Sequence, residues 1–206
     1  MTVRARQLTA IACVVLTATA AGIWIGRSTG PSPSASSTHE PGPVDIGFAR
    51  DMAEHHSQAV TMSLIVLEQS AAPEIRVLAR NILTAQQLQM GQLKGWLLLW
   101  NMTEQASHPM AWMPHRQHPD HSDTFHPQVM PGMASGPDLT ELATMTPADA
   151  DQQFLRLMLN HHHGGIVMAQ FAADHASLSE VKQLASAMVS AQQIEIAQID
   201  YLSAQH

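Results

Sequence analysis

Residues 48–63 and 154–169 carry one pattern twice, at a constant offset of 106 positions. The first copy reads Phe-Ala-Arg-Asp-Met-Ala-Glu-His-His-Ser-Gln-Ala-Val-Thr-Met-Ser. The second reads Phe-Leu-Arg-Leu-Met-Leu-Asn-His-His-His-Gly-Gly-Ile-Val-Met-Ala. Phe48, Met52, His55, His56 and Met62 fall on Phe154, Met158, His161, His162 and Met168 without a gap, and Asp45 falls on Asp151. The register continues downstream: Glu74, Leu78, Ala79, Ala85, Gln86, Gln87 and Gln92 align with Glu180, Leu184, Ala185, Ala191, Gln192, Gln193 and Gln198. Identity held at one offset over two segments goes beyond shared helical composition, so the chain reads as a duplicated unit.

Each unit has the period of a helical hairpin. Apolar positions recur at helical spacing from Val44 to about Ser70, with Asp45 as cap. Ala71-Ala72-Pro73 marks a break, because Pro73 suits the first turn of a new helix. A second helix is expected from Glu74 to Trp100, with Ile75, Leu78, Ile82, Ala85, Leu88 and Leu93 facing inward. Thr146 and Pro147 open a third helix to about His175, and a fourth runs from about Ser179 to Ala204. Between the units, residues 101–146 form a Pro-rich interruption with five His and six Met. The expected fold is all-α: a four-helix bundle of two duplicated hairpins, 44–100 and 147–204, joined by a long crossover loop.

At about 100° per residue, Phe48, Met52, His55, His56, Ala59 and Met62 lie within an arc of about 120°, the core-facing stripe of a packed helix. Phe154, Met158, His161, His162, Gly165 and Met168 do the same, while His163 points away. Met52 lies three residues before His55 and four before His56, within side-chain reach of both. Met62 lies about 10 Å further along the axis from His55 and belongs to a separate contact. Imidazole suits copper, zinc and nickel, whereas thioether selects copper, above all Cu(I). The expected metal ligands are therefore Met52, His55, His56, Met62, Met158, His161, His162 and Met168, with copper as the metal and silver as a competitor. Met also fills irregular cores, and a lone buried His is commonly just hydrogen-bonded. Four imidazoles on facing stripes weigh against that simpler account, since burying them without a ligand costs about 1–3 kcal/mol each. Met102, His108, Met110, Met113, His115, His118, His121, His126, Met130 and Met133 in the interruption offer a second, dispersed set of donors.

Charge narrows the partners. Beyond residue 30 there are 7 basic and 17 acidic side chains, a balance that repels nucleic acid and attracts cations. Arg4 and Arg6 precede an uncharged run from Gln7 to Gly26. Residues 1–27 are expected to be an export signal retained as a membrane anchor, with the C-terminal domain outside the cytoplasm. The alternative is cleavage after Ala18-Thr19-Ala20 and secretion. Residues 28–43 have the Ser/Pro composition of a flexible tether, leaving 44–206 as the metal-binding domain. The single cysteine, Cys13, lies in the leader, so the rest of the chain has neither disulfide nor thiolate ligand.

The two His-His motifs, together with Met-Pro-Gly-Met at 130–133, resemble the bacterial domain of unknown function 305 family, which includes CopM-like copper-binding proteins. The resemblance covers about residues 44–204. It implies a ferritin-like four-helix fold, export, and copper binding or tolerance. The partners expected are copper ions, copper-transport or copper-oxidising proteins, and the membrane through the N-terminal anchor. The family pattern has Glu near Gln89 and Met near Leu93. Glu195 keeps the acid in the second copy, while Ile199 lacks the Met.

The function expected is a non-enzymatic copper buffer, sequestering protein or chaperone. Two alternatives differ in class. A cuprous oxidase would share the ligands, but a di-iron enzyme would need Glu-x-x-His pairs, which are absent from the sequence. A helical interaction module would use the stripes only as core.

Overall fold

The computed structural model describes residues 40–113 and 130–205, in which the chain forms five helices and no strand. They are α1 (Pro43–Gln69), α2 (Pro73–Leu99), α3 (Gly136–Leu142), α4 (Pro147–His175) and α5 (Ser179–Ser203). Proline sets several starts by supplying a helical φ where no intrahelical N–H is needed: Pro43, Pro73 and Pro147 each lie in a first turn. Thr146 accepts the Asp149 N–H at the head of α4. Across the α1–α2 turn, the Arg76 guanidinium donates to the Leu67 carbonyl.

Helix α1 packs extensively on α2, and α4 on α5; the two hairpins meet through α1 and α4, while α2 and α5 touch only slightly. Two apolar cores fix the directions. One unites Phe48 and Met52, early in α1, with Met168 and Ala172, late in α4. The other unites Met62 and Val66, late in α1, with Ala150, Phe154 and Met158, early in α4. Helices α1 and α4 therefore run antiparallel, a relation the sequence left open. Asp45 locks the crossing at one end. Its carboxylate accepts the N–H groups of Gly42 at 2.8 Å, Ser177 at 3.0 Å and Leu178 at 2.9 Å, joining the head of α1 to the α4–α5 turn.

The described parts of the 101–146 interruption, 101–113 and 130–146, hold more regular structure than their proline content implies. Pro137 falls in the first turn of α3, whose cap Ser135 accepts the Asp138 N–H; there the proline opens a helix instead of breaking one. Residues 108–113 are pinned to α1 by Asp51, which accepts Met110 N–H at 2.6 Å and Trp112 Nε1–H at 2.7 Å. Trp112 lies over Gly47 and edge-on to Phe48.

Two expectations are corrected. Leu88, read as inward, is 75% exposed, and the buried stripe of α2 passes through Gln86 instead, between Ile82 and Leu93. The membrane-spanning anchor, and with it the membrane as partner and the single-pass location, is withdrawn. Among the described residues no helix is long and apolar enough to cross a membrane. Residues 1–27, to which that expectation was attached, lie outside the described residues, as do His115, His118, His121 and His126.

Candidate functional site

Between the two apolar cores lies a polar layer. His55, His56, His161 and His162 are all 0% exposed, and Gln86 and Gln192 are buried beside them. The antiparallel crossing brings the equivalent residues of the repeat face to face: the rings of His55 and His161 lie 3.8 Å apart, tilted by 35°. Gly165 leaves room for the layer, since a Cβ there would overlap the amide of Gln192.

Every imidazole uses the same nitrogen in the same way. His55 Nε2–H donates to the Pro131 carbonyl at 3.0 Å and His161 Nε2–H to the His55 carbonyl at 2.9 Å. His56 Nε2–H donates to Gln89 Oε1 at 2.8 Å and His162 Nε2–H to Glu195 Oε2 at 2.7 Å. All four acceptors are oxygens, so each neutral ring carries its proton on Nε2 and a lone pair on Nδ1. All four Nδ1 atoms are buried without a hydrogen-bond partner. Burial, which disfavours the imidazolium, lowers His55 to about 4 and His56 to about 3, and holds His161 well below its ordinary value. These three rings are therefore neutral at neutral pH, the form that binds metals.

Main-chain segment 130–134 closes one side of the layer. Gln58 clamps it by accepting Ala134 N–H at 2.6 Å and donating to Ala134 O at 2.9 Å. Gly132, at φ +78°, lies flush on Asn160, and Gly164 lies against the Pro131 carbonyl; a methyl group at either glycine would overlap main-chain atoms. Both glycines are required by this close approach.

Met52, Met62, Met158 and Met168 are all fully buried, Met52 and Met168 in one core and Met62 and Met158 in the other. His163 is exposed. Among the described residues no three of His, Cys, Asp and Glu converge closely enough to hold an ion, so the four imidazoles do not form a single His-only site. Four unpartnered Nδ1 atoms flanked by thioether-bearing cores fit a soft ion that takes one or two imidazoles and completes its set with sulfur. Of the interruption's donors, Met110 is buried in the first core and Met113 and Met130 pack against it, whereas Met102 and His108 are exposed. The sequence reading missed Gln86 and Gln192 as members of the layer. Their signal was the repeat itself, which aligns these two glutamines.

The fold and layer define a class: an all-α protein of two equivalent helical hairpins that face each other across buried imidazoles. The chain belongs to the family described as Domain of unknown function (DUF305), whose pattern matches residues 45–203. It resembles a DUF305 protein of Streptomyces coelicolor with 37% identity and a TM-score of 0.70, over 79% of this chain and 91% of that one. A DUF305 fragment from Deinococcus radiodurans is 30% identical with a TM-score of 0.67, over 82% and 100%. CopM in its Cu(II)-bound form is 25% identical with a TM-score of 0.59, over 78% and 96%; CopM is also known in Cu(I)- and Ag-bound forms. No curated protein matches the chain.

Proposed function

We propose that this protein is a non-enzymatic copper binder that buffers, sequesters or hands over Cu(I) and Cu(II), built as a ferritin-like four-helix bundle with α3 as an addition. The ligands are the Nδ1 atoms of His55, His56, His161 and His162, with the thioethers of Met52 and Met158 completing the nearest sites and Met62 and Met168 extending them outward. The observation that carries this reading is the set of four buried Nδ1 atoms with no hydrogen-bond partner. Each such atom left unsatisfied costs about 1–3 kcal/mol, and a bound ion offsets that cost. The resemblance to CopM, a protein with copper- and silver-bound forms, supports the same chemistry. The Nε2–H bonds orient each ring for its ligand, as outer partners of metal-bound imidazoles do. Equilibrium titration of the full chain with Cu(I), Cu(II) and Ag(I) tests the reading. Saturable binding tighter than that of a scrambled Met/His peptide is the expected result, and binding no tighter than the peptide's overturns it.

A further inference from the structure

The two halves of the imidazole layer share a geometry and differ in charge. Gln89 and Glu195 occupy the same position of the 106-residue repeat, and each accepts the Nε2–H of the histidine 33 positions before it, His56 and His162. The distances are nearly equal, 2.8 and 2.7 Å. One acceptor is a neutral amide and the other a carboxylate. Among the acceptors of the four rings, Glu195 alone is acidic: the other three are the Pro131 carbonyl, the His55 carbonyl and the Gln89 amide. The carboxylate faces inward, with its side chain only 15% exposed, so solvent screens it weakly.

We propose that Glu195 tunes the α4–α5 half of the layer toward divalent copper, while Gln89 leaves the α1–α2 half to monovalent ions. The proposal rests on the copper reading above. A carboxylate accepting the Nε2–H raises the donor strength of Nδ1 across the ring. It also places a negative charge behind the ligand. The attraction of that charge for a cation scales with the cation's charge, so Cu(II) gains about twice what Cu(I) or Ag(I) gains. An amide acceptor orients the ring equally well and supplies no such field. Glu195 is thus a positioning residue acting through His162, and the duplicated scaffold holds two sites of unlike valence preference.

The test is a pair of isosteric exchanges in the full chain, Glu195→Gln and Gln89→Glu, each titrated with Cu(II) and, as a redox-inert monovalent probe, Ag(I). The wild-type protein should bind Cu(II) in two classes separated by about 10–100-fold, with the Ag(I) classes closer together. Glu195→Gln should weaken the tighter Cu(II) class until the two merge, and shift Ag(I) less. Gln89→Glu should strengthen the weaker Cu(II) class and bring its Cu(II) electron paramagnetic resonance spectrum toward that of the tighter class. Equal losses for Cu(II) and Ag(I) in Glu195→Gln would assign Glu195 a purely structural role and overturn the proposal, as would an unchanged Cu(II) isotherm in both variants. A wild-type chain that binds neither ion overturns the copper reading itself, a result distinct from binding with an unaltered ion preference.

Discussion

His161 donates its Nε2–H to the main-chain carbonyl of His55, 2.9 Å away, across the crossing of α1 and α4. Strict twofold equivalence would send the His55 proton to the carbonyl of His161. It goes instead to Pro131, in the segment that closes the layer. The repeat is therefore symmetric in its rings and asymmetric in what holds them, and the closing segment is attached to one hairpin's histidine only.

Replacing His55, His56, His161 and His162 together by Leu should abolish soft-metal binding. It should change the stability of the metal-free protein little, because relief of four unpartnered Nδ1 atoms offsets the loss of four Nε2–H bonds. Urea unfolding beside a silver titration reads both effects. A loss of metal-free stability would mean that the imidazoles serve the fold itself.

Acid should unfold the metal-free protein earlier than its carboxylates alone require. Well above pH 6.5 the rings of His55, His56 and His161 are neutral in both folded and unfolded chains and add no pH dependence. As pH falls below 6.5 the unfolded chain takes up protons that the folded rings refuse until about 4 for His55 and about 3 for His56. Each such ring removes up to about 1.4 kcal/mol of stability per pH unit over that window. Urea midpoints compared at pH 7.5 and 5.0 should drop steeply, and a saturating soft ion should shrink the drop. Equal midpoints would contradict buried neutral imidazoles.

Gly164→Ala should lift the 131–132 main chain away from α4 and break the bond between His55 and Pro131, costing about 1–3 kcal/mol. Hydrogen exchange at Gly132 and Ala134 should accelerate, and metal uptake with it. Unchanged protection at both amides would show that α4 yields instead.

Asp51→Ala should destabilise the fold by about 2–4 kcal/mol, since the N–H groups of Met110 and Trp112 lose their shared acceptor. Release of the 108–113 segment should red-shift tryptophan emission as Trp112 leaves Gly47 and Phe48. An unshifted spectrum would mean that aromatic packing alone holds the segment.

Helix limits were legible because Pro73, Thr146 and Pro147 act within one turn of themselves, and the stripe of Met52, His55 and His56 follows from helical period alone. Direction was not legible: nothing local distinguishes a parallel from an antiparallel crossing of α1 and α4. Helix α3 was hidden inside the Pro-rich interruption, where Pro137, with Ser135 and Asp138 around it, opens a helix. Leu88 was misplaced because hydrophobicity was taken to outrank an amide; in this layer Gln86 takes the inward position. The closure of His55 by Pro131 spans 76 positions, and no sequence period encodes such a contact.

The antiparallel crossing of α1 and α4 has a last consequence. Each apolar core draws on both hairpins, so neither hairpin owns an interior of its own. The chain is in effect a homodimer whose two subunits have been spliced into one polypeptide, and a cut within 114–129 should yield two fragments that fold only in each other's company.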